Sequence, residues 1–368
     1  MNFSRRNFFQ AVAGAGGLAA LRAQVAGPGT PPLSFTQEPA ARSTVAIVKG
    51  DVRRKIVADA LNAIDHQIRP AIQRKKYVII KVNNVSTFNQ LAATHADAIW
   101  GILDYLQPRY KMPVSIVESS AGETMQGFQN FGYVKLAADS AARNVSLVDL
   151  NAEGKYQVIP LIDYDLHVQP VRLAARLLDP DAYVICACML KTHNTVVATL
   201  SVKNMVLGAP LHYAPKETPR WNDKRKYHTG IRQTHYNMLL TAQKLQANWG
   251  AALVDGFEGM EGNGPGAGTP VPSRIAIAST DYIAADRVAL EAMGINPQWV
   301  GYLIYGGQVG LGQYDLAKID VLGAPIASVK RNYRLHPDIQ RQLQWMGPME
   351  DLPPKLGELR QELNKALA

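Results

Sequence analysis

Tyr183-Val184-Ile185-Cys186-Ala187-Cys188-Met189-Leu190, running straight into Lys191-Thr192-His193, is the stretch that decides the fold. An apolar run without alternation fits a strand covered on both faces, and such strands belong to parallel sheets sandwiched between helices. Residues 77–82, 114–117, 145–148, 251–254 and 274–278 have the same character, and longer helical patterns separate most of them. That alternation is the signature of βαβ units. The expectation is an α/β fold: a mostly parallel sheet flanked by helices, with a polar site at the carboxyl ends of the strands. Cys186 and Cys188 sit two apart on one side of the central strand, a spacing that strains a disulfide, and two thiols cannot supply a four-cysteine iron-sulfur site. They read as buried free thiols, with no internal iron-sulfur cluster.

Each run gives way to polar residues: Lys81 and Asn83, then Glu118-Ser119-Ser120, Asp149, Lys191-Thr192-His193, Asp255-Gly256 and Ser279-Thr280-Asp281. Ligands of open parallel sheets bind beyond the carboxyl ends of the strands, so these residues define a candidate rim. Thr94 precedes a helical pattern and reads as its cap, with His95 at the first helical position and Asp97 in a capping box.

The stretch from Asp255 to Pro270 alternates glycines with Asp255, Glu258 and Glu261. Glycines permit positive φ and bring backbone N–H groups to an anion, which makes Gly262 and Gly264 candidate anion ligands. No Gly-Lys-Ser/Thr ends the stretch, so this is not a Walker loop. Carboxylates beside exposed amides suggest a divalent metal or a metal-containing cofactor held by Asp255, Glu261 and Glu118, or else carboxylates paired with Lys191 and Lys203. His193, His228 or His235 would shift such a site toward zinc, iron or nickel.

Working outward, Arg5-Arg6 ahead of a short Ala/Gly-rich apolar run marks 1–26 as a twin-arginine signal, to be recognised by the twin-arginine export machinery. An ordinary secretion signal or a basic terminus are the competing readings. The run is too short for a stable membrane anchor, and a periplasmic or otherwise extracytoplasmic location is expected. A Gly/Pro-rich linker covers 27–44, an α/β domain 45–329 and a C-terminal extension 330–368 with an amphipathic helix built on Leu356, Leu359, Leu363 and Leu367. Losing Arg5, Arg6 and Arg22 leaves +6 of the formal charge of +9. Only Lys224-Arg225-Lys226 clusters it, which argues against nucleic acid and for a small anionic ligand. Residues 213–237, with Trp221, Lys224, Arg225, Tyr227, His228 and His235, read as a lid over the rim or as a surface loop.

Taken together these blocks resemble the family catalogued as DUF362, a domain of unknown function. The carriers are Lys81-Val82-Asn83-Asn84-Val85, Thr94-His95, Glu118-Ser119-Ser120, Gly132-Tyr133, Lys191-Thr192-His193, Ser201-Val202-Lys203-Asn204-Met205, the 255–270 stretch, Ala278-Ser279-Thr280-Asp281 and Ala285-Asp286. They run in order from residue 77 to about 312. Val82 stands where the family has proline, and the ferredoxin-like cysteine cluster of many relatives is absent. The resemblance implies positions and no established reaction. At the level of fold, Lys and His at strand ends are also similar to nickel-pincer lactate racemases, which would imply a lysine-linked organometallic cofactor.

The roles these residues suggest are His193 as proton carrier with Lys191 and Lys203 as its catalytic partners. Lys81, Asn83, Asn204, Gly262 and Gly264 would bind the anion, and Asp255, Glu261 and Glu118 a metal. A buried lysine acting as a Schiff-base nucleophile is an alternative. Two functions remain open: an exported metal- or cofactor-dependent enzyme of the isomerase or oxidoreductase class acting on a small anionic substrate, or an extracytoplasmic small-molecule binding protein without catalysis.

Overall fold

The computed structural model describes residues 42–140, 144–213, 218, 221–228 and 230–347. The segments expected to form a twin-arginine signal, most of the 27–44 linker and the C-terminal amphipathic helix lie outside the described residues. Among the described residues no helix is long and apolar enough to cross a membrane.

The continuous apolar runs become strands because each side of the sheet is covered. The main sheet has the order β12-β1-β11-β9-β7-β2-β3-β4. Its strands are β1 (Ser43–Lys49), β2 (Tyr77–Lys81), β3 (Val114–Glu118), β4 (Val145–Asp149), β7 (Ala182–Thr192), β9 (Trp249–Glu261), β11 (Ile275–Ser279) and β12 (Ile319–Gly323). Short returns β8 (Ala198–Thr199) and β10 (Thr269–Val271) pair with β7 and β9, while β5 (Tyr156–Ile162) and β6 (Val168–Ala174) form a separate hairpin. Along β7, Val184, Cys186, Cys188 and Leu190 enter one core and Tyr183, Ile185 and Ala187 the other. The two thiols are free and buried on the same face.

Five helices cover the second face: α1 (Arg53–Ala63), α2 (Asp65–Ile72), α3 (Ala96–Leu106), α4 (Thr124–Asn130) and α5 (Tyr133–Asp139). The first face carries α6 (Ser201–Leu207), α7 (Ile231–Leu245), α8 (Tyr282–Met293) and α9 (Gly301–Gln308).

Several expectations are corrected. β11 runs antiparallel to both β1 and β9, so Ser279-Thr280-Asp281 lies at the opposite edge from the proposed rim. The acidic half of the Gly-rich stretch is not loop, because β9 continues to Glu261. The linker ends before Ser43, which already pairs with Ile319. His95, not Thr94, caps α3 by accepting the Asp97 N–H. Thr94 Oγ1 instead accepts the Asn83 N–H at 2.8 Å and donates to the Ala187 carbonyl, locking the end of β2 to β7.

Candidate functional site

The parallel strands β2, β3 and β7 end beside one another, and the chain leaving each supplies polar groups to a common cavity of about 610 Å3. Beneath its floor lies an ion pair. Lys81 is fully buried and its Nζ meets Glu118 Oε1 at 2.8 Å and donates to the Val82 carbonyl at 2.7 Å. Glu118 also accepts the backbone N–H groups of Asn84 and Ser119. A buried charge needs this degree of pairing to be tolerated.

The second wall is α6. Asp286 accepts the Ser201 N–H, the Ser201 hydroxyl and the Val202 N–H at 2.8, 2.6 and 2.9 Å, which satisfies the donors at the helix start. Lys203 and Asn204 are thereby fixed over the strand ends. Asn204 Oδ1 accepts from Asn83 Nδ2 at 2.9 Å, and its Nδ2 donates to Cys186 Sγ. Asn83 Oδ1, both side-chain polar atoms of Asn84 and Ser120 Oγ are buried beside the cavity without partners among the described residues.

The third wall comes from the 213–237 stretch. Arg172 and Lys226 hold the buried Asp223 at 2.9 and 3.1 Å, anchoring Asp223–Tyr227. From this anchor Lys224 Nζ reaches Ser119 Oγ and the Leu207 carbonyl. His228 stacks on His193 with ring centroids 6.4 Å apart and planes 9° from parallel. His193 Nδ1 accepts the Thr195 N–H, which leaves the ring proton of the neutral form on Nε2.

The cavity is cationic. Lys191, Lys203, Lys224, Arg225 and Arg341 line it, and its carboxylate, Glu118, is already paired with Lys81. Burial pushes Lys191, Lys203 and Lys224 down to about 7, with Lys203 further lowering Lys191. Burial and then Lys203 push His193 well below the usual histidine range, and the more exposed His228 is lowered in the same direction. Lys191 Nζ donates to the Ala92 carbonyl at 2.7 Å, whereas Lys203 Nζ meets no acceptor among the described residues.

Of the residues singled out in the sequence, Asn83, Glu118, Lys191, His193, Lys203 and Asn204 converge on this cavity. Lys81 lies under it, engaged with Glu118. Gly262 and Gly264 do not present free amides: the Gly262 N–H bonds Arg334 O and the Gly264 N–H bonds Gly262 O. Their smallness serves packing instead, since a Cβ on Gly264 would stand 2.1 Å from the Thr192 carbonyl oxygen. The three carboxylates assigned to a metal are apart: Glu118 with Lys81, Asp255 with Arg53 at 3.2 Å, and Glu261 with Arg334. Among the described residues no group of three or more His, Cys, Asp or Glu could hold a metal. The alternative pairing of Lys191 and Lys203 with Asp255 and Glu261 does not occur either. His235 faces away, packed against Tyr302 and Trp345. Sequence reasoning missed Arg341, which carries no local signal, and treated Lys224 and His228 as lid residues and not as wall.

The DUF362 domain of unknown function matches residues 78–291, which include every strand end named above. The chain belongs to the DUF362 family. No curated protein matches it. A solved structure it is similar to is a Thermotoga maritima protein determined as a structural-genomics target, at 9% identity and a TM-score of 0.37, covering 72% of this chain. The chain spans 59% of that protein's length.

Proposed function

We propose that this DUF362 protein is exported and binds a small anionic ligand in the cavity between the ends of β2, β3 and β7, as an enzyme acting on that ligand. The observation that carries the reading is the imbalance of charge: three lysines and two arginines face a space whose carboxylate is already neutralised. Of these, Lys191 and Lys203 are buried, so they lose water and meet no carboxylate among the described residues in return, and a bound carboxylate or phosphate supplies one. Asn83 Oδ1, Asn84 and Ser120 offer neutral acceptors and donors for the remainder of the ligand. The carboxylates expected to ligate a metal are each taken by a cation, so a metal would enter bound to the anion and not to a protein carboxylate cluster.

The test is thermal shift and calorimetry on chain recovered from the periplasm of cells expressing it with its own leader, against small carboxylates and phosphates. A ligand at a hundredfold its Kd should stabilise by about 2.7 kcal/mol. Lys203→Met with Lys224→Met should abolish the shift while the protein stays folded. An unresponsive wild type across the panel refutes the binding reading, and recovery from the cytoplasm alone refutes export.

A further inference from the structure

Three lysines line the cavity, but their amines are not equivalent. Lys191 is held by the carbonyls of Ala92 and Pro265, and Lys224 by Ser119 Oγ and the Leu207 carbonyl, bonds that favour the charged ammonium. Lys203 is 7% exposed, lines the cavity and meets no acceptor among the described residues. Its backbone is rigid, because it occupies the first turn of α6, whose N-terminal donors are bound to the buried Asp286. A largely buried lysine on a fixed backbone, with no acceptor for its amine among the described residues and open space in front of it, is arranged as a nucleophile.

We propose that Lys203 forms a Schiff base with a small anion that carries a carbonyl group, such as a 2-oxo acid, in this cavity. The inference rests on the anion-binding reading above and names its substrate class. Lys191, Lys224, Arg225 and Arg341 provide the cations that hold the carboxylate, leaving Lys203 to attack. The Nζ lone pair forms the N–C bond, the carbonyl π pair moves to oxygen, and a proton passes from nitrogen to that oxygen to give a carbinolamine. The C–O bond then breaks as the hydroxyl takes a proton and leaves as water while the nitrogen lone pair closes C=N to give an iminium, whose N–H proton returns to the acid that gave it, so amine plus carbonyl becomes imine plus water without change of oxidation state. The Lys191 ammonium, also held near neutrality, is the acid nearest in character for the departing hydroxyl. With its amine pushed down to about 7, Lys203 keeps roughly half its population neutral at pH 7, roughly a thousandfold more than an ordinary lysine.

The full chain is incubated at pH 7 with glyoxylate, pyruvate or 2-oxoglutarate and sodium cyanoborohydride, then read by intact mass and peptide mapping. The expected result is one reduced adduct, on Lys203, from at least one of the three, formed ahead of any exposed lysine and suppressed by excess propanoate. Adducts confined to exposed lysines, with propanoate still stabilising the protein, overturn the Schiff base and leave the anion site standing. No stabilisation by any of these anions overturns both. Mapping the wild-type chain makes the result independent of whether a Lys203 variant folds, and Lys203→Arg, which keeps the charge and removes the nucleophile, should bind propanoate without forming the adduct.

Discussion

Lys203 costs the protein stability, because its side chain is largely buried and its amine meets no acceptor among the described residues. Burial holds its folded pKa at about 7, while an unfolded lysine titrates near ~10.4. Between those values the unfolded chain binds more protons, so stability rises with pH, by up to about 1.4 kcal/mol per pH unit for one such group. Lys191 and Lys224 act in the same sense. Below pH 7 the picture is mixed: Asp286, raised to about 7 by burial, makes stability fall as pH climbs, and His193 and His228 do the reverse. Above about 8.5 the buried Cys188, raised by burial, opposes the lysines. The clean window is therefore pH 7 to 8.5. Lys203→Met should be more stable than wild type at pH 7 and should lose about 1–2 kcal/mol of the rise across that window, as read by urea unfolding at both ends. An unchanged slope would mean the amine is not desolvated as described.

At the scale of an element, α6 is short and owes its place to Asp286 more than to its own propensity. Asp286→Ala orphans two buried N–H groups and a hydroxyl, and should cost about 2–4 kcal/mol. Asp286→Asn keeps an acceptor of the same shape and should cost less than half as much. Because α6 carries Lys203 and Asn204, the alanine variant should also weaken anion binding at a pH where it remains folded; calorimetry that finds equal affinity in both variants would reduce Asp286 to a stability role. The sequence made the central strands legible, since burial on both faces leaves continuous apolar runs in β2, β3, β7, β9 and β11. It could not show that β11 is reversed: an antiparallel strand inside a covered sheet buries both faces just as a parallel one does. β1 and β12 escaped notice because both are partly exposed. The alternating β5–β6 hairpin lies outside the sheet and has a different pattern.

Over the whole molecule, the sequence could say which polar groups stand at strand ends but not which of them neutralise one another. Lys81 with Glu118 and Asp255 with Arg53 are choices made by tertiary packing, and they give two of the carboxylates expected to ligate a metal a cationic side chain as partner. Around one cavity those pairings leave lysines and arginines that meet no carboxylate among the described residues. That remainder has a measurable consequence for the intact protein. With Lys191, Lys203 and Lys224 all held at about 7, a substantial share of these amines is neutral at pH 8. A bound anion favours their charged forms, raises their pKa values and draws protons from solution. Binding at pH 8 should therefore take up about one proton or more per site, and uptake should diminish toward pH 6, where the amines are already charged. Titration calorimetry in buffers of different ionisation enthalpy reads this directly. A buffer-independent enthalpy at pH 8 would show that the anion meets amines that were charged before it arrived, and the desolvated-lysine account of this cavity would fail with it.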